Sequence, residues 1–418
     1  MHRFQSCISR RRFLRSAGAL AASTLAPRML FASTGGPGRL VVVVLRGALD
    51  GLAAVPPHGD HDYADLHQEL AIAAPGAADG ALALDGFFGL HPSLSFLHER
   101  YLAKELVVLH AAASPYRERS HFDGQNVLEN GLTRPIGTAD GWLNRALAAL
   151  PGSAHPLSER AVAISQNLPL ILRGDAPVLA MSPAAAPDID EDLLTRLAAL
   201  YSKDPWFAAR LREAVQGEAL LDATPDMPSS RVSAGAAPTK AGLARGTDRM
   251  GSAARMAAAL MRSAGGPEIA VIEAVGWDTH ANQGASSGTL AQRLAGLDNG
   301  LRALAEGLGP LWRQTAVLVV TEFGRTAAVN GTRGTDHGTG GCAFLAGGAV
   351  RGGRVIADWP GLSRNALLDG RDLRPTLDLR SLFKAVLGEH LRIDGGSLAS
   401  RVFPDSGGAH PLQGVVRA

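Results

Sequence analysis

Five short polar motifs in this 418-residue chain hold residue types that do chemistry together. Asp278-Thr279-His280 sets a carboxylate and an imidazole two positions apart, on one face of an extended segment, where the pair can grip one cation. Ser120-His121-Phe122-Asp123 offers a hydroxyl and an imidazole at an expected helix start, where free backbone N–H groups favour an anion or an activated hydroxyl. Asp50 in Leu45-Arg46-Gly47-Ala48-Leu49-Asp50-Gly51, Glu322, and Thr335-Asp336-His337-Gly338 complete the set. Singly, each has a plainer reading. Asp50 is then a turn residue, Ser120 an N-cap with Asp123 completing a box, Glu322 an exposed loop carboxylate, and Asp336-His337 an Asp turn beside a surface histidine. Together, carboxylate and imidazole suit zinc, manganese or iron better than calcium, and such a metal can polarise an anionic ester and lower the pKa of a hydroxyl or water. With Cys7 and Cys342 as the whole cysteine complement, a thiolate zinc site is excluded.

The elements that must position these motifs read as strands alternating with helices. Leu40 to Leu45 is a continuous apolar run with four consecutive valines, as a strand buried on both faces requires, and Glu105–His110, Glu268–Val275 and Gln314–Thr321 read the same way. Leu290, Leu294, Leu297, Leu301, Leu304 and Leu308 form one apolar helical stripe that Gly309-Pro310 ends, and a second helix runs from about Asp248 to Gly265-Gly266. The pattern predicts a three-layer α/β/α sandwich around a mostly parallel sheet. Ligands bind such sheets beyond the carboxyl ends of the strands, where four of the motifs fall; the fifth, Thr335 to Gly338, lies in a Gly-rich loop before the apolar segment Cys342–Ala346.

The core is expected over residues 37–136 and 246–405, interrupted by a loop-rich insertion or cap at 137–245 and followed by a tail at 406–418. Within the insertion, Ala161–Ile164 and Leu168–Leu172 read as a strand pair, Asp204–Val215 as a helix and Ser229–Gly246 as a low-complexity linker. The first 32 residues, with Ser9-Arg10-Arg11-Arg12-Phe13-Leu14-Arg15 before an Ala-rich run, resemble a twin-arginine export signal. They carry six arginines and no acid, so the net charge of +2 becomes about −4 once they are removed. That argues against a nucleic-acid partner. Elsewhere no apolar run approaches the roughly 18 residues of a membrane span, so no stable membrane anchor is expected. The twin-arginine translocase is the expected export partner, with a periplasmic or secreted destination. There Cys342 would stand alone and form no intramolecular disulfide.

At these motifs the chain resembles the bacterial family called domain of unknown function 1501. The resemblance runs from about Leu40 to Phe403 and rests on Arg46–Leu52, Leu90-His91-Pro92, Arg119-Ser120-His121-Phe122-Asp123, Gly276–Asn282, Thr321-Glu322-Phe323-Gly324-Arg325 and Gly334–Gly341. That family is similar, distantly, to the alkaline phosphatase and sulfatase superfamily. The resemblance implies Asp50 as a first-strand metal ligand, Ser120 as the nucleophile or its stand-in, and Asp278, His280 and His337 around one metal. It also implies Glu322 in place of the acid of an Asp-His-Gly motif, with Asp336-His337-Gly338 as the alternative match. Phe323 stands where that motif has a metal-binding histidine, so one metal is expected and the ligand set of a second is incomplete.

Arg325 is read equally as a holder of an anionic substrate oxygen or as one half of a structural ion pair, with Arg117 and Arg119 as further candidates for the substrate role. His121 and His91 are candidate acids or bases, Trp277 is expected to pack beside the site, and Cys342 to be a buried thiol. The reading that follows is an exported metal-dependent hydrolase of a phosphate or sulfate ester on a small molecule or glycan, with Ser120 or activated water attacking. The second reading is a noncatalytic periplasmic binding or assembly protein that keeps the fold.

Overall fold

The computed structural model of the chain describes residues 38–151, 160–182, 200 and 249–417. The export signal, the helix expected at 204–215 and the linker at 229–246 lie outside them.

The apolar runs become the middle of one nine-stranded sheet. Its strands are β1 (Arg39–Arg46), β2 (Leu106–Ala113), β3 (Ala161–Ile164), β4 (Leu179–Met181), β5 (Ile269–Val275), β6 (Thr315–Thr321), β7 (Gly341–Ala346), β8 (Arg354–Ile356) and β9 (Leu377–Asp378). They lie in the order β8-β2-β7-β6-β1-β5-β3-β4, with β9 also pairing β2. Only β7 runs antiparallel, against β2 and β6. The four valines of β1 are fully buried because the strand has parallel neighbours on both edges and helices on both faces.

Alternation along β1 divides the core in two. Val41, Val43 and Leu45 face helices α2 (Ser95–Leu102), α5 (Arg249–Arg262) and α6 (Thr289–Leu308), whose leucine stripe from Leu290 to Leu308 is buried against them. Leu40, Val42 and Val44 face α4 (Trp142–Ala149) and α7 (Leu379–Glu389). The result is the three-layer α/β/α sandwich. None of the helices among the described residues is long and apolar enough to cross a membrane.

Three expectations change. Part of the segment expected as a cap belongs to the sheet: β3 pairs β5, β4 pairs β3, and α4 packs in the core. The strand expected at Leu168–Leu172 is instead a short 3-10 turn, Leu170–Leu172, and the partner of β3 is β4. Local apolar content marked β3, but β4 is only three residues long and reads as a loop fragment. The expected C-terminal tail is also packed, with Val415 and Val416 buried and Val416 bridged to Val350.

Trp142 makes the first correction testable. Its ring stacks on Phe383 at 4.8 Å, its indole N–H donates to Leu128 O at 3.1 Å, and it is fully buried. Trp142→Ala should destabilise the whole body by about 3–5 kcal/mol, read as one cooperative shift in chemical denaturation. A local loss that spares the main transition would mean that α4 is a separate cap.

Candidate metal centre

The sheet brings the motifs together through register. β1 lies between β5 and β6, with Arg46 opposite Val275 and Leu45 opposite Thr321, so the loops starting at Gly47, Gly276 and Glu322 leave side by side. β2 delivers the Ser120-His121 loop to the same rim. The antiparallel direction of β7 explains how Asp336-His337 arrives there, since the residues before its first position must enter from the end where its neighbours leave. Two glycines permit the crossing. Gly47 has φ 120°, and a Cβ on it would lie 2.6 Å from Asp278 N. A Cβ on Gly324 would lie 1.9 Å from Gly340 O.

At this rim three imidazoles share one arrangement. His121 Nδ1 donates to Glu322 Oε1 at 2.8 Å, His280 Nδ1 to Asp336 Oδ1 at 3.1 Å, and His337 Nδ1 to the Arg119 carbonyl at 2.8 Å. With each Nδ1 proton held this way, the neutral form of each ring presents an Nε2 lone pair, and all three Nε2 atoms converge on Asp278. The separations are 3.4 Å from His121, 3.0 Å from His280 and 3.3 Å from His337. His280 Nε2 and His337 Nε2 also face each other at 3.0 Å. Two lone pairs at that distance repel unless a proton or a cation lies with them. His121 Nε2 is moreover buried without a hydrogen-bond partner.

The donor atoms of His121, Asp278 and His337 lie within 4.8 Å of one another, and His280 adds a fourth donor beside Asp278 and His337. Three imidazole nitrogens and a carboxylate fit zinc, manganese or iron. The pattern of a carboxylate or carbonyl behind each histidine is the one that fixes tautomer and orientation in metal sites.

Electrostatics differ between the rings: the neighbouring carboxylates favour the charged form of His121, whereas burial favours the neutral form of His337. The Glu322 hydrogen bond raises the pKa of His121 against the opposing effect of burial. Burial lowers that of His337, with the charges of His121 and Arg325 adding to it. Burial would raise Asp278, but Arg325 and the neighbouring histidines outweigh it and keep the carboxylate charged. Phe323 closes the apolar side: it is buried, stacks on His121 at 5.0 Å and tilts against His337 at 5.3 Å. Phe323 is therefore part of the wall that the converging rings pack against.

Several expected roles therefore move. Glu322 is not a metal ligand in this arrangement. It is fully buried, with Oε1 taking Gly47 N, His121 Nδ1 and Gln125 Nε2 and Oε2 taking Thr321 Oγ1, so it sits behind His121. Asp336 likewise sits behind His280, and its Oδ1 also accepts from Asn330 Nδ2. His121, expected as an acid or base, is one of the converging donors.

Asp50 is an N-cap rather than a ligand. Its Oδ1 accepts from Leu52 N and Ala53 N, and its Oδ2 from Gln283 Nε2 at 2.7 Å with His67 Nε2 at 3.4 Å. Burial alone would raise its pKa, but the His67 charge and these donors hold it down at about 2. Arg325 cannot reach a substrate. Its side chain is fully buried, with NH1 on Asp278 Oδ1 at 2.7 Å and the rest of the fork on Thr335.

Ser120 occupies the N-cap position of α3 (His121–Asn130) without a side-chain capping bond, so its hydroxyl is not spent on the helix. His91 is buried between Ala285 O and Ser93 N, and burial lowers its pKa, so it is a structural imidazole. Trp277 packs in the core next to Asp278, and burial raises the Cys342 thiol and leaves it inert.

Sequence reasoning missed the residues that knit these parts together. Gln283, fully buried, donates to Asp50 and accepts from Thr279 Oγ1 and Thr335 Oγ1. Gln125 bridges Arg46 and Glu322. It lies four positions after His121, on the same face of α3, which is the one available signal. Asp372, which holds Arg119 and Thr339, comes from a distant loop and has none.

The model of the family described as "Protein of unknown function (DUF1501)" matches residues 38–403. The chain belongs to this family. No curated protein matches it. Solved structures with some likeness include a phosphonate monoester hydrolase of Agrobacterium radiobacter, at 9% identity and TM-score 0.38 over 86% of this chain and 74% of that one. A second is a sulfatase from Pseudoalteromonas sp., at 14% identity and TM-score 0.33 over 81% and 68%. A third, crystallised with a neocarrahexaose, gives 12% identity and TM-score 0.37 over 90% and 77%. Likeness at this level is too weak to transfer chemistry.

Glu322→Gln tests the orienting carboxylate. It keeps the shape but replaces a charged acceptor behind His121, and should weaken metal binding about 10- to 100-fold in chelator competition, with folding intact. Unchanged affinity would remove Glu322 from the centre.

Proposed function

We propose that the chain is a metal-dependent hydrolase of an anionic ester, phosphate or sulfate, working outside the cytoplasm after twin-arginine export. One observation carries the reading: three histidines with their Nδ1 protons committed converge through Nε2 on one carboxylate, with one nitrogen pair 3.0 Å apart. Lone pairs packed this way repel unless a proton or a cation joins them, and a metal ion is the cation that would gather all three rings and the carboxylate at once.

His121, Asp278, His280 and His337 would hold the metal. When bound, it supplies Lewis-acid polarisation of an ester oxygen and a lowered pKa for a hydroxyl or water beside it. The chain's own part is positional. Glu322, Asp336 and the Arg119 carbonyl aim the three rings, Arg325 keeps Asp278 charged, and Phe323 shields one side from water. Ser120, next in sequence to His121 with an uncommitted hydroxyl, is the protein nucleophile of this scheme; water is the alternative.

Purified protein should contain about one zinc, manganese or iron ion per chain by elemental analysis, and Asp278→Ala with His280→Ala should lose it. Against a panel of aryl phosphate and sulfate esters the wild type should turn over at least one, and Ser120→Ala should lose about 1,000-fold or more if the serine attacks. A metal content unaffected by the double substitution contradicts the assignment. Metal binding with no turnover of any ester would favour the noncatalytic reading.

A further inference from the structure

Beside the histidines lies a cavity that the proposed chemistry leaves unused. It has a volume of about 380 Å³ and is lined by Arg117, Arg119, Leu368, Asp369, Arg374 and Pro375. That volume falls within the range of small-molecule sites, about 300–1,000 Å³. Arg119 is the wall it shares with the centre. The backbone carbonyl of Arg119 accepts from His337 Nδ1, while its guanidinium is held by Asp372 at 2.7 Å and Asp369 at 3.2 Å. Arg119 also has φ 63°, in the left-handed region that a side-chain-bearing residue avoids. The chain thus holds a strained conformation at the residue that links cavity and centre.

The charge in this cavity is unbalanced. Three guanidinium groups line it against the single carboxylate of Asp369, which Arg119 engages. Arg117 places NH1 on the carbonyls of Ser114 and Tyr116, and Arg374 places Nε and NH2 on those of Ala366 and Leu367. These carbonyls fix both side chains without neutralising them; neither arginine forms an ion pair with a carboxylate among the described residues, and the carboxylate that acts on Arg117 from farther off, Asp378, is itself paired with Arg380. Two anchored guanidinium groups lining one concave site leave it with an excess of positive charge that an anion would offset. Guanidinium groups match the oxygens of sulfate and phosphate.

We propose that this cavity is an oxyanion subsite, which seats a second sulfate or phosphate group of the molecule whose scissile ester is presented to the histidine centre. The substrate is then a polyanion, carrying at least two such groups on one scaffold. The link to a substrate rests on the hydrolase reading; anion binding by the cavity does not.

The test uses the protein stripped of metal and two probes, a polysulfated heparin disaccharide and fructose 1,6-bisphosphate, titrated by calorimetry. Arg119 is left intact because its backbone serves His337. Arg117→Ala with Arg374→Ala should weaken the bound probe about tenfold or more, the loss of two charge-assisted partners. As a control of equal charge, Arg351→Ala with Arg392→Ala removes two exposed arginines next to Gly352 and Ile393, near the opposite, amino-terminal ends of the strands. It should change affinity by less than about twofold. The probe with the larger loss identifies sulfate or phosphate as the preferred group.

Zinc content after reloading should be the same in all three proteins. Failure of both probes to bind wild type, or equal weakening in the two double variants, overturns the subsite. If Asp278→Ala with His280→Ala retains metal while the Arg117/Arg374 effect persists, the hydrolase reading fails and the anion site stands.

Discussion

The arrangement of this rim depends on the competition between ring nitrogens for protons. Each of His121, His280 and His337 gives its Nδ1 proton to a fixed acceptor, and the acceptors differ: a buried carboxylate, a half-exposed carboxylate and a strained backbone carbonyl. That commitment turns the Nε2 atoms into lone-pair donors aimed at Asp278. Without the acceptors the rings could flip or trade protons with one another, and the convergence would dissolve into ordinary hydrogen bonds. The second line of residues therefore defines the site as much as the first.

Such a constraint needs a rigid frame, and the sheet supplies it. β1, β5 and β6 are locked in register by buried valines and isoleucines, so their outgoing loops start from fixed points. The single antiparallel strand feeds Asp336-His337 in from the same end. Below the centre, Asp50, Gln283, Thr335 and Arg325 form a hydrogen-bonded chain that ends on Asp278. Buried polar networks of this kind are costly when any partner is missing, which ties the position of Asp278 to the packing of the whole rim.

Much of this was legible in the sequence. The long apolar runs announced β1, β2, β5 and β6, and the leucine stripe announced α6, because period and length were unambiguous. Every histidine and acid of the centre stood in one of the five motifs, four beyond the carboxyl ends of strands and the fifth in the loop that enters β7. What could not be read was direction. Glu322 and Asp336 looked like ligands because carboxylates near a metal serve either as ligands or as partners of ligating histidines, and only side-chain geometry decides. Arg325 could be read as a substrate contact or as a structural ion pair because sequence does not report burial, and the ion pair is the one that forms. β3 and β4 were read as part of a cap because short strands at a sheet edge carry little periodic signal. Asp372 and Gln283 act across long separations and leave no local trace.

The measurement that bears most directly on this account is a crystal structure of metal-loaded protein with anomalous scattering collected at the metal edge. The account predicts one strong peak among His121 Nε2, Asp278, His280 Nε2 and His337 Nε2, with Glu322 and Asp336 still bonded to the far nitrogens. A peak only at the Asp60-His61-Asp62 group, or at Asp50, with the four residues left as they are, would contradict it.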